Sequence, residues 1–391
     1  MFLSFFASKK WALWAYGGVL VLILSLVYQT NINVAINAWY KEFYDLAQNA
    51  IDSDSKRMQK GVEECLKHSS DDAKCRVKQA ELELYTKYEK CINDNNLNKD
   101  EGQTGVCAPS YQAIVDFKVD GFWRQIWRFL YLAMPYVIVY TITQFFASHW
   151  MFRWRDAMTF AYMESWRKCV CDIEGSSQRI QEDIYRFSKL MENIGLKIIR
   201  ALMILIAFLP VLWGLSEKVH LPLLKDIPGS LVWVALVVSI GGLIISWFVG
   251  ILLPKYEYEV QKTEAAFRKE LVYAEDDKTK YASQSITREL FEKMRSKYYN
   301  LFLHTGYFDV WLISFSQFMV IVPYIVMGVG LFTGGITLGV LIQSSNAFQQ
   351  VRASFNVFTN NWTTITELRS IYRRLKEFEQ SIGWAEKKGW A

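Results

Sequence analysis

The sequence predicts an all-α membrane protein: six transmembrane helices with long cytoplasmic extensions. Three observations predict it. Long apolar stretches lack charge, tryptophans gather at their ends, and the charged segments between them contain few helix breakers. Of 391 residues, 52% are hydrophobic and 21% charged, so distribution along the chain decides rather than the average.

No charged residue interrupts Trp11 to Tyr40, Phe129 to Phe152, Ala201 to Ser216 or Ile227 to Pro254. From Tyr298 to Val351 only Asp309 does, and that stretch is long enough for two crossings around Thr333-Gly334-Gly335. About 20 apolar residues cross a bilayer core of about 30 Å. The third span is short, so it is expected to borrow Ile194 to Ile199, with Lys197 and Arg200 snorkelling towards headgroups. Trp11, Trp14, Trp123, Trp127, Trp150, Trp154, Trp213, Trp233 and Trp247 fall near span ends, as interfacial anchors do. The first apolar run is too long for a cleavable signal and lacks an Ala-x-Ala exit, so it reads as an anchor.

With Lys9 and Lys10 inside, the inner segments 1–10, 153–200, 255–300 and 352–391 carry 2, 9, 10 and 7 Lys/Arg, whereas 217–226 carries Lys218 and Lys225 alone. That bias places both termini in the cytoplasm. The chain then divides into a first span (1–49), an outer helical insertion (50–120), five further spans with their extensions (121–380) and a short tail (381–391).

The outer insertion is strongly charged. Asp54 to Asn93 reads as two helical stretches around Ser69-Ser70-Asp71-Asp72. It holds Cys65, Cys75, Cys91 and Cys107. An even count outside the cytoplasm suggests disulfides, with Cys65–Cys75 and Cys91–Cys107 favoured among three pairings. No CxxC spacing or paired histidine supports a metal site. Cys169 and Cys171 lie inside and are expected to stay thiols.

Residues 153–200 and 255–300 each read as two helices prolonging the spans, turning near Glu174-Gly175-Ser176 and Glu275-Asp276-Asp277. Six spans with paired intracellular extensions are the layout of an exporter-type ABC membrane domain. Val34-Ala35-Ile36-Asn37-Ala38-Trp39-Tyr40, with Phe43-Tyr44-Asp45-Leu46, resembles the first-span signature of the SbmA/BacA-like peptide transporter family. Ser148-His149 with Phe152-Arg153-Trp154-Arg155 is similar to its second-span exit. Ile173-Glu174-Gly175 to Asp183, Glu264 to Tyr273 with Glu275-Asp276-Asp277, and Asn361-Trp362-Thr363-Thr364 through Leu375 resemble later family segments. The resemblance runs in order from about residue 30 to 380. The sequence departs from the family in having no room for an additional N-terminal span and in its cysteine-bearing outer insertion.

The resemblance implies an inner-membrane protein of Gram-negative bacteria, a domain-swapped homodimer with the type IV ABC exporter fold and no ATPase domain. It implies proton-driven import of peptides or glycopeptides: proline-rich antimicrobial peptides, modified-peptide microcins and bleomycin-like compounds. No cofactor is implied.

The residues themselves speak to the same question. No G-x-x-x-x-G-K-[ST] phosphate loop occurs, so energy is expected from an ion gradient or a separate ATPase. Proton coupling needs a carboxylate in a partly desolvated cavity. The candidates are Glu192, flanked by increasingly apolar residues, then Glu182, Asp183, Glu264, Glu270, Glu275 and Glu367, each of which could equally be a salt-bridged helix charge. Asp309 is the acid inside the last apolar stretch. Asp45, His149 and His304 read as structural. The sixth span is unusually polar, with Gln343, Asn346, Gln350, Asn356, Asn360 and Asn361 followed by Trp362. Lipid does not tolerate such amides. They are expected to line a peptide cavity or to join two subunits.

No basic tract with interleaved aromatics indicates nucleic acid, and no Ser-His-Asp or HExxH spacing indicates an enzyme. Two alternatives remain: the membrane half of an ATP-dependent transporter, and a non-transporting receptor whose outer loop binds a ligand.

Overall fold

The computed structural model describes residues 2–51, 73–95, 97, 103–169, 175–217, 228–277, 280–281 and 283–383, and among these there is no strand. The helices are α1 (Phe2–Phe6), α2 (Ala12–Ile51), α3 (Ala73–Asp94), α4 (Ala108–Lys168), α5 (Ser176–Ser216), α6 (Ser230–Gly250), α7 (Leu253–Asp276), α8 (Gln284–Phe332), α9 (Leu338–Asn360) and α10 (Trp362–Ser381). Five of them, or five runs of them, are long and apolar enough to cross a membrane: α2, α4, α5, α6 continuing into α7, and α8. The stretch expected as a sixth span is helical as α9, but its 23 residues are too polar to count among the five. Cys65, the first helical stretch of the outer insertion and the turn at Ser69 to Asp72 lie outside the described residues.

The third span does continue backwards as expected, since α5 is one helix from Ser176 to Ser216. Its winding is not uniform. Arg179–Asp183 and Met191–Gly195 are π-helical, and α-helix flanks both. Such single-turn insertions are rare and gather at functional sites.

The chain separates into two compact units. The first comprises Met1–Asn31, Val139–Gly335 and Ser344–Ala391, the second Ile32–Ile138 and Ile336–Gln343. In the first, α2, α4, α5 and α10 share a core of Leu26, Trp150, Trp154, Met158, Tyr162, Ile184, Phe187, Ile371, Leu375 and Phe378. Ile371, Leu375 and Phe378 recur at helical spacing, so α10 buries one stripe and leaves Arg373 and Glu377 outside. Gly18 lies against the Trp150 indole, where any Cβ would overlap the ring. That lets the indole Nε1 reach the Trp14 carbonyl at 2.8 Å. The short α1 carries Phe5 into this core, stacked on Trp154.

Gly242 admits the Phe315 ring between α6 and α8 in the same way. Pro254 sits in the first turn of α7, where its missing N–H costs nothing. Beyond it α7 runs beside α8, joined by Lys297 to Glu259 at 2.6 Å and Tyr298 to Glu264 at 2.8 Å. At the turn between them Ser283 caps α8 by accepting from the Ile286 N–H.

In the second unit Trp39 of α2 donates to the Gln125 carbonyl of α4 at 2.9 Å, and Arg128 pairs with Glu42. Asp45 and Gln48 accept the N–H groups of Gly339 (3.1 Å) and Leu338 (2.8 Å). The start of α9 is thus capped by side chains of α2, and Asp45 serves a helix end. Helix α3 packs through Tyr85 and Tyr88 on Ile114 and Cys107, with a Cys91–Cys107 disulfide at a Cα separation of 5.8 Å. Burial pushes the Tyr85 phenol up to about 12, and Glu81 beside it adds to the effect.

Cys75 and Cys169 are also disulfide-bonded. For Cys169 this corrects the expectation of a free thiol. That expectation rested on compartment alone, whereas bonding is decided by whether a second sulfur lies within reach.

Candidate functional site

The seam between α4 and α5 carries the site. These helices run in opposite directions, so later residues of α5 meet earlier residues of α4. Phe187 packs on Trp154, Glu192 meets Ser148, and Arg200 meets Tyr140. Glu192 lies in the second π stretch, half-buried, and accepts a hydrogen bond from the Ser148 hydroxyl. Lys189, one turn away, faces Tyr185 instead. Among the described residues no lysine or arginine pairs with Glu192. A carboxylate facing a hydroxyl can ionise or protonate without breaking an ion pair, because the hydroxyl donates to the anion and accepts from the acid.

The other acids are placed differently. Asp183 is buried, with Arg179 at 2.7 Å and a two-pronged contact from Arg374 of α10 at 2.9 and 3.2 Å. Its charge is neutralised inside the core and it ties α5 to α10. Glu182 pairs with Arg186 at 2.7 Å, and Arg186 reaches Glu367 at 3.7 Å, so these three form a half-exposed bridge. Glu264 takes the Tyr298 hydroxyl, Glu270 is also engaged, and Glu275 is exposed at the end of α7. Asp309 is exposed on α8. His149 packs on Phe145, and His304 lies over Tyr256 with Nδ1 near the Asn300 carbonyl.

Lys197 and Arg200, which the sequence placed at the inner end of the third span, both have side-chain partners. Lys197 donates to the Asn361 side chain at 3.3 Å, and Arg200 turns inward to Gln29 of α2 at 3.3 Å.

The polar residues of α9 divide. Gln349 donates to the Met319 carbonyl at 3.2 Å, and Arg352 grips the Ser316 carbonyl and hydroxyl, so this face holds α8. Asn346, Gln350 and Asn356 are half-buried, and the Asn346 amide nitrogen has no hydrogen-bond partner among the described residues. Gln343, also half-buried, belongs to the second unit. Asn361 bonds back to Val357. Asn360 and Trp362 line a cavity of about 600 Å³ with Trp247, Gly250, Phe308 and Thr363. The Trp247 and Trp362 rings meet edge to face at 4.6 Å.

Sequence reasoning missed Ser148 as the partner of Glu192, and the contribution of α6 and α8 to the cavity. Gly250 carried a signal, since a small residue in an apolar helix marks close approach, and the Phe308 ring packs there.

The sequence profile of the SbmA/BacA-like family matches residues 8–87 and 103–383. The chain belongs to the SbmA/BacA-like family. This SbmA/BacA-like chain is 24% identical over 291 residues to the inner membrane ABC transporter ATP-binding protein YddA of Escherichia coli, covering 69% of this chain and 52% of that protein. It is 23% identical over 281 residues to an uncharacterized ABC transporter ATP-binding protein of Synechocystis, covering 67% and 40% respectively. With ABC transporter D family member 2, chloroplastic, of Arabidopsis thaliana it shares 23% over 287 residues, covering 70% and 39%. The chain therefore spans about half or less of the length of these relatives.

Proposed function

We propose that the chain is one subunit of a homodimeric, proton-gradient-driven importer of peptides and peptide-like antibiotics, working by alternating access in the bacterial inner membrane. In this reading α9 is the sixth span, both termini face the cytoplasm, and the fold is that of an ABC exporter membrane domain. Family membership supports the transporter class. The observation that carries the coupling is Glu192: a half-buried carboxylate on a π-wound turn, facing a hydroxyl rather than a base. Protonation from the acidic side would remove its charge, and release on the other side would restore it. Glu182, Asp183 and Glu367 are better suited to holding the inner helices together, because each engages arginine. The cavity lined by Asn360, Trp362 and Trp247 offers amides and aromatic faces, which suit a peptide backbone of varied sequence.

A second reading is favoured by the relatives, two of which carry ATP-binding in their names. In it the chain is the membrane half of an ATP-driven transporter. Uptake of a labelled peptide into proteoliposomes, with an acid-outside gradient and no ATP, separates the two. The expected result is uptake that a protonophore abolishes and that Glu192→Gln lowers to the protonophore-treated background. Uptake by the folded protein only when an ATPase and ATP are supplied would establish the second reading instead.

A further inference from the structure

Arg200 is not explained by the coupling scheme. It approaches Gln29 and Tyr140, and Gln29 bonds to Thr143. Gln29 lies well inside the charge-free run from Trp11 to Tyr40, and Thr143 lies nine residues inside the run that ends at Phe152. At 1.5 Å per residue that is about 14 Å of helix, close to half the hydrocarbon thickness. The guanidinium therefore sits near mid-depth, where a cation is costly and is found with a partner or a function.

Its partners here do not neutralise it. Gln29 Oε1 accepts one hydrogen bond at 3.3 Å, and the Tyr140 ring lies 4.6 Å away. The Nε is buried without a hydrogen-bond partner, and among the described residues no carboxylate lies within ion-pairing distance. The nearest acid along the same seam is Glu192, about two helical turns towards the inner end and engaged with Ser148. Gln29 is 2% exposed and fixed in turn, its Nε2 donating to Thr143 at 2.8 Å and Ser25 at 3.2 Å. Its carbonyl oxygen is thus aimed at the arginine. Arg200 itself keeps part of its surface open. A guanidinium offers five donors in a rigid fork that matches a carboxylate, and most of that fork has no anion.

We infer that Arg200 is a carboxylate-binding residue of the transport pathway, receiving the C-terminal or acidic side-chain carboxylate of a bound peptide at mid-depth in the membrane. This rests on the importer reading and adds a preference to it. Glu192, facing Ser148 four residues inside the run that ends at Phe152, and Arg200 deeper would present an acid followed by a fixed cation along one wall.

The test compares three versions of one short neutral peptide in proteoliposome uptake: free acid, C-terminal amide, and amide with one glutamate. The wild type is expected to prefer both carboxylate-bearing peptides by on the order of tenfold, the yield of one charge-assisted pair. Arg200→Gln keeps a hydrogen bond to Gln29 and is expected to level the three rates while leaving the melting temperature unchanged or higher. A preference for the free acid alone places the C-terminus at the site. Equal rates in the wild type, or a preference that survives Arg200→Gln, would overturn the inference and leave the importer standing. A melting temperature lowered in Arg200→Gln with all three rates reduced alike marks a structural arginine and also overturns it. Uptake of none of the peptides would sink the importer reading. The arginine is then judged by melting in detergent with the same peptides: a larger rise with carboxylates supports it, and equal or absent rises overturn it.

Discussion

Asp183 and Glu192 lie nine residues apart on one helix, and their surroundings assign them opposite work. Asp183 is buried between two arginines, so removing its charge leaves two guanidinium groups without their anion. Breaking a buried pair from one side costs about 3 kcal/mol or more; the arginines here are about one-third exposed, so about 2 kcal/mol is expected for Asp183→Asn. Thermal unfolding of the variant beside Glu182→Gln, whose partner is half-exposed and whose loss is expected to cost well under 1 kcal/mol, checks the contrast. Both residues were legible as candidates, Glu192 as an acid whose neighbours turn apolar and Asp183 as an acid about two to three turns before it. Their difference was not, since Arg374 lies 191 residues from Asp183 and Ser148 lies 44 from Glu192. Spacing along a chain does not report such distant partners.

Among the elements, α9 depends most on another helix for its position. Its first N–H groups are taken by Gln48 and Asp45 of α2, and Gly339 lets α2 approach so closely that a Cβ there would overlap the Lys41 carbonyl. Because that neighbour is backbone and cannot rotate away, Gly339→Ala is expected to cost about 2 kcal/mol. Asp45→Ala, which removes one cap, is expected to cost about 1 kcal/mol. Melting of the two variants gives the order. The helices themselves were legible: charge-free runs, flanking tryptophans and the Thr333-Gly334-Gly335 turn placed most of them, and Gly334 is indeed left-handed at φ 73°. The π stretches of α5 were not legible, because Met191 to Gly195 contains nothing that marks an inserted residue.

At the scale of the whole chain, the apolar runs made the membrane helices legible, and the ordered motifs made the family legible. Five helices pass by apolar length alone, and α9 falls short of them because amides and Arg352 interrupt its apolar residues, Gln349 among them bonding to the Met319 carbonyl of α8. Cysteine scanning with a membrane-impermeant label in intact cells, in a cysteine-substituted background, distinguishes five spans from six. Gly334→Cys is expected to react from outside, whereas Ser283→Cys and Ser381→Cys react only after permeabilisation. Reaction of Ser381→Cys in intact cells would mean that α9 does not cross.

The bulge at Met191–Gly195 also has a geometric consequence for α5. A π turn holds one residue more than an α turn, and one residue of α-helix is about 100° of rotation. If the extra residue moved along the helix past Arg200, everything between its old and new places would swivel by that angle, with no hinge and no change in helix length beyond about 1.5 Å. Arg200 would swing off Gln29 while Leu212 and the outer end stayed still. Local rewinding beside Glu192 would thus turn a guanidinium two turns away, much as a worm gear converts a small advance into rotation.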